Sequence, residues 1–175
     1  MKTIVATFDD LRHVERAVRA LLDEPVSHEL ISMVAAALDD EPEIEAIGDG
    51  QSYVSGVFRA RSGAAASLAQ LLPELAVLTI PDVGTVLASG PLVFTRPTEA
   101  TRPTHDGLVG DMITAGVPEP DARAYVDCVK RGGAIVMVNA AARRVERLTE
   151  LLASCEPSSG EPRANLEALA PPLLR

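Results

Sequence analysis

The groups in this chain able to carry chemistry are few, and most gather in one polar stretch. Arg96, Arg102, Thr104, His105 and Asp106 fall within eleven residues, just ahead of an apolar segment with helical spacing. A helix start leaves backbone N–H donors without intrahelical partners, and such donors attract anions. Two guanidinium groups and an imidazole beside that start define a candidate site for a small anion or carboxylate. A plainer reading stays open, because Thr104 or Asp106 could simply cap the helix. With His105 as general acid and base, the cluster would also suit an enzyme of the dimeric α/β-barrel kind, an analogy of fold alone.

The remaining reactive side chains read as structural. His13 falls on the polar side of a helix and His28 in a turn, where both are expected to be solvated. Cys128 and Cys155 stand 27 positions apart with no CxxC partner and no nearby histidine, so buried reduced thiols are expected rather than a zinc site. The acidic loop Asp39-Asp40-Glu41-Pro42-Glu43 lacks the spacing of a calcium-binding loop. Gly84 and Gly90 match no phosphate-binding fingerprint, Ser89 sits in no nucleophile elbow, and Tyr125 belongs to an apolar helix face. No catalytic residue, metal or cofactor is assigned.

Composition bounds the function further. The 175 residues carry a formal charge of −9, and residues 1–50 hold twelve Asp/Glu against four Lys/Arg. Such an acidic chain repels nucleic acid and anionic lipid. Apolar residues make up 47% and aromatic ones 3%, so the core must be built from Ala, Val, Leu and Ile. The longest uncharged apolar stretch, Val83 to Thr95, is 13 residues, short of the roughly 20 that span a bilayer. No signal peptide is visible, and a cytoplasmic location is expected.

The elements that would position these groups follow one another along the chain. Thr3 to Phe8 reads as a strand, and Asp9 or Asp10 caps the next helix, whose apolar side is Leu11, Val14, Val18, Leu21 and Leu22. Asp23-Glu24-Pro25 ends it. Leu30 to Val34 reads as a second strand, Tyr53 to Phe58 as a short one, and Gly63 to Leu72 as a helix of small residues. The apolar middle, Leu75 to Phe94, turns at Ile80-Pro81-Asp82-Val83-Gly84, with a strand at Thr85 to Ala88. Leu108, Val109, Met112 and Ile113 mark a helix closed by Gly116. A further helix opens at Pro118 or Pro120 and buries Ala122, Tyr125, Val126 and Val129. Gly132-Gly133 feeds a strand from Ala134, and the last helix buries Val145, Leu148, Leu151 and Leu152. Residues 1–155 form one domain, and the Pro/Ser/Gly composition of 156–175 marks a flexible tail.

The two ends echo each other. A shift of 131 positions places Thr3–Leu21 on Ala134–Leu152 with seven identities in 19 positions. Two similar strand-helix units side by side on one sheet are therefore expected. The fold class is α+β, a ferredoxin-like small sheet of three or four strands with helices packed on one face. The open face would need a cover, which predicts a homodimer or the middle segment folded over it.

The order of motifs resembles the small bacterial general-stress (heat-induced stress) proteins. It rests on Ile4-Val-Ala-Thr-Phe-Asp-Asp10, Ile80-Pro-Asp-Val-Gly84, Leu87-Ala-Ser-Gly-Pro-Leu92, Gly116-Val-Pro-Glu-Pro-Asp-Ala-Arg-Ala-Tyr125 and Val129-Lys-Arg-Gly-Gly-Ala-Ile-Val-Met-Val138, the span Gly116–Val138 being the most specific. The resemblance covers residues 3–155 and implies a fold and a stress context without catalytic residues. The function expected is that of a non-enzymatic domain acting through self-association or a protein partner. A regulatory module that senses a small anion is the alternative.

Overall fold

The computed structural model describes residues 2–36, 63–72, 75–80, 83–91, 107–155 and 163–165. Apolar runs with β-branched residues form five strands, β1 (Lys2–Phe8), β2 (Ile31–Ala36), β3 (Ala76–Ile80), β4 (Gly84–Ser89) and β5 (Ala134–Ala140), and Arg-Ala-Asn forms the short β6 (Arg163–Asn165). They make one antiparallel sheet in the order β3-β4-β2-β5-β1-β6. The helices are α1 (Leu11–Asp23), α2 (Gly63–Leu71), α3 (Gly107–Thr114), α4 (Glu119–Lys130) and α5 (Val145–Ala153).

The α+β expectation holds, but the sheet is larger than three or four strands and the helices do not share one face. Side chains of a strand alternate between faces, and here each face has its own core. Ile4, Ala6 and Phe8 of β1 pack with Ile31 and Met33 of β2 and Val136 and Val138 of β5 beneath α1, α2 and α5. Val5, Val34, Ile135 and Met137 pack on the other side beneath α3 and α4, with Met112, Tyr125 and Val129. The open apolar face that called for a homodimer is thus covered by residues 107–130 of the same chain.

Two connections interleave across the middle of the sheet. β1 and β2 run in the same direction with β5 between them, joined through α1. β4 and β5 run in the opposite direction with β2 between them, joined through α3 and α4. Both connections step two strands in the same sense relative to their direction. They lie on opposite faces, so they have opposite hands, whereas a ferredoxin-like sheet keeps both helical layers on one side.

The expectation that both ends of the chain lie side by side holds along the full length of β1, with Val5 opposite Met137 and Ala6 opposite Val136. The echo itself divides in two. Three of the four buried positions of α1, Val14, Ala17 and Leu21, shifted by 131, are Val145, Leu148 and Leu152, the buried positions of α5, while Val18 falls on half-buried Thr149. The strand identities do not coincide in this way. Ile4 faces α1 while Ile135 faces α4. An odd shift inverts the face of a strand, whose period is two, but preserves the side of a helix once the turn absorbs one residue.

Local chemistry sets the element ends. Asp10 caps α1, its side chain accepting from the Arg12 N–H. Gly116 N donates to Ile113 O and Val117 N to Met112 O, the paired bonds that close a helix end. The end of α4 repeats the device, with Gly132 N to Val129 O and Gly133 N to Cys128 O. Arg147 of α5 donates to Glu24 at 3.0 Å, and Arg144 donates to the Pro25 carbonyl, which fastens α5 to the end of α1. β6 lies inside the stretch that composition alone reads as a tail. It pairs Asn165, Ala164 and Arg163 with Thr3, Ile4 and Val5. The expected strand Tyr53 to Phe58 lies outside the described residues. Among the described residues no helix is long and apolar enough to cross a membrane.

Candidate functional site

Three strand ends meet in one row of the sheet, where Ala35 of β2, Ala134 of β5 and Phe8 of β1 are consecutive partners. Beyond this row lies a cleft of about 330 Å³ lined by Asp9, Asp10, Leu11, Arg12, Ala35, Ala36 and Gly132–Ala134. The strands converge because the split connection places the carboxyl ends of β1 and β2 at the amino end of β5. The first turn of α1 forms one wall.

Glycine sets the floor. A Cβ on Gly133 would lie 2.6 Å from Cys128 Sγ and 2.9 Å from the Phe8 carbonyl oxygen. Gly133 O also accepts from Ala36 N at 3.1 Å, so the glycine pair joins β2 to the end of α4. Any larger residue at 133 would push these backbones apart.

The charged wall is largely satisfied from within. Asp10 Oδ1 accepts from Arg12 N at 2.8 Å, and Arg12 Nε donates to Asp10 Oδ2 at 3.3 Å. The Arg12 backbone N–H is the main reason that the Asp10 carboxyl is held below the ordinary 3.8; slight desolvation opposes it, and the Arg12 guanidinium adds to the lowering. Asp10 therefore stays ionised near neutrality and is a poor proton donor. Exposed Asp9 is the side chain left to meet a ligand, since both glycine N–H groups and the Gly133 carbonyl are already bonded within the protein. The arrangement can hydrogen-bond and orient a small polar molecule. Among the described residues no group of three or more His, Cys, Asp or Glu is arranged to hold a metal.

Asp10→Ala is expected to lower stability by about 1 kcal/mol at neutral pH through loss of the cap. A carboxyl with a lowered folded pKa stabilises above its unfolded value and loses that contribution as pH falls through the folded one. The gap between Asp10→Ala and the parent should therefore narrow below pH 3.8. Asp10→Asn keeps an acceptor for the cap and should stay close to the parent at neutral pH. Urea unfolding at neutral and acid pH measures both.

The sequence-derived cluster Arg96, Arg102, Thr104, His105 and Asp106 lies outside the described residues, which resume at Gly107, the start of α3. His28 is exposed and His13 is half-buried on α1. Tyr125 is buried in the core beneath α3 and α4. The cysteines are both buried and not joined in a disulfide. Cys128 packs under Gly133, while Cys155 joins the core beneath α1, where burial pushes its thiol up despite the Ser154 hydroxyl and Arg16. Sequence reasoning treated Asp9-Asp10 as a cap and Gly132-Gly133 as a reversal, and missed that they face each other. The signal was present: pairing the two chain ends antiparallel puts the start of β5 beside the end of β1.

No family model, curated protein or solved structure matches this chain.

Proposed function

We propose that this chain is a non-enzymatic association domain that joins a second copy through the β3 edge of its sheet. The observation that carries the reading is the contrast between the two edges. β3 is the terminal strand of the described sheet, bonded to β4 on one side, and its five residues, Ala-Val-Leu-Thr-Ile, include no charge. Proteins protect exposed edges with charges, prolines or very short strands. The opposite edge follows that rule, since β6 has three residues and begins with Arg163. An uncharged edge five residues long is suited to strand pairing. The resemblance to general-stress proteins adds a context and no residue roles.

The reading predicts a mass, by light scattering, that rises with concentration above the 18.4 kDa of one chain. Ala76→Lys, a charge on that edge, should restore 18.4 kDa. A parent that stays at the single-chain mass at every concentration would refute it. The cleft between Asp9 and Gly133 favours a second reading, a regulatory module for a small polar ligand. Raised melting temperature in a metabolite screen, lost in Asp9→Ala, would support that one instead, because a ligand specific for the native state stabilises it.

A further inference from the structure

We infer that β6 is a guard strand: it closes the β1 edge, which otherwise accepts β1 of a second copy, and so limits self-association to one edge of the sheet. β1 pairs along all seven of its residues with β5. Among the described residues, β6 meets β1 on its other side at Thr3, Ile4 and Val5. β6 is short and reaches β1 after seven residues, Glu156-Pro-Ser-Ser-Gly-Glu-Pro162, that follow buried Cys155. A three-residue strand contributes few backbone bonds, and such elements open at low free-energy cost.

The strand beneath is well suited to its own copy. A two-fold pairing of β1 with β1 centred on Val5 would set Thr3 against Thr7 and Ile4 against Ala6. Threonine pairs are favourable cross-strand partners. Thr3 and Thr7 are buried side chains of the same strand face. The symmetry matters to assembly. Each edge of the sheet used as a two-fold contact makes a closed dimer, but two such edges in one molecule generate an open-ended sheet. β6 removes one of them. The inference concerns the edge opposite β3 and holds whether or not β3 is used.

The test places Ala164→Pro with Asn165→Pro in the full chain. Successive strand N–H groups alternate in direction, so one of the two removed donors must face β1. The pair is made in the Ala76→Lys background, which closes the β3 edge. The expected result is a concentration-dependent doubling of mass, with the Ala76→Lys parent monomeric; in the otherwise native chain, larger assemblies should appear. Monomeric behaviour of the proline pair in the Ala76→Lys background would overturn the guard role. A dimer there together with a monomeric native chain would sink the β3 reading and leave this one standing. Hydrogen exchange on the native protein covers the case in which the variant misfolds. The amides of 163–165 and the alternate β1 amides facing β6 should exchange about tenfold or more faster than those facing β5. Equal rates on both sides of β1 would mean that β6 opens only with the whole domain, and the inference would fail.

Discussion

Gly90→Ala is expected to cost roughly 2–5 kcal/mol, the sum of a left-handed backbone penalty and an overpacking term. Gly90 follows β4 with φ +89, and a Cβ there would lie 2.1 Å from the Ile31 carbonyl oxygen and 2.7 Å from Ser32 Cα. These are backbone atoms of the start of β2, a strand held on both sides by β4 and β5. No rotamer change can relieve the overlap, so the chain must shift β2 or detach the end of β4. Gly84→Ala separates the two terms. Its φ is +102, but nothing lies within 4 Å of the added carbon, so only the backbone penalty of about 1–2 kcal/mol should remain. The measurement is the urea midpoint at unchanged slope. Equal losses at the two glycines would show that the contact with β2 is unimportant.

The elements were legible in the sequence where period and punctuation agreed. α1 and α5 were readable from spacing, and the glycine ends of α3 and α4 from residue type. The layer count was misread although its signal was present. Ile4-Val5-Ala6 and Ile135-Val136-Met137 are continuous apolar runs, and a strand covered on both faces has no reason to alternate. Taking those runs as one-sided sheet left a face open that α3 and α4 in fact cover. β3 was missed although Pro73-Glu74 and Pro81-Asp82 bracket it, because Leu75 to Phe94 was taken as one apolar stretch with a single strand. β6 was hidden because Arg-Ala-Asn has little strand propensity, and its pairing is set by the β1 edge instead. Of the candidate site, the capping role of Asp10 was legible from residue type and position. The meeting of Asp9 with Gly133 was not, since it depends on which strand ends share a row.

Leu21→Ala and Leu152→Ala should each cost roughly 2–5 kcal/mol, the range for emptying a fully buried leucine site. Both are at 0% exposure in the core beneath α1, α2 and α5. They are also equivalents under the 131-residue shift, each on the last buried turn of its helix. α1 and α5 share three buried positions over the same sheet face, so the two losses should be similar in size. The sheet between the helices is shared by both cores, and loss of either leucine should lower the single cooperative transition rather than split it. Ile113→Ala is the comparison. Ile113, on α3, is a large hydrophobic at 39% exposure, and its replacement should stay within about 0.5 kcal/mol, as for other surface sites. Markedly unequal losses at Leu21 and Leu152 would mean that the shared spacing of the two helices does not extend to how they are packed. A transition that split in two would mean that the layers on either side of the sheet unfold independently.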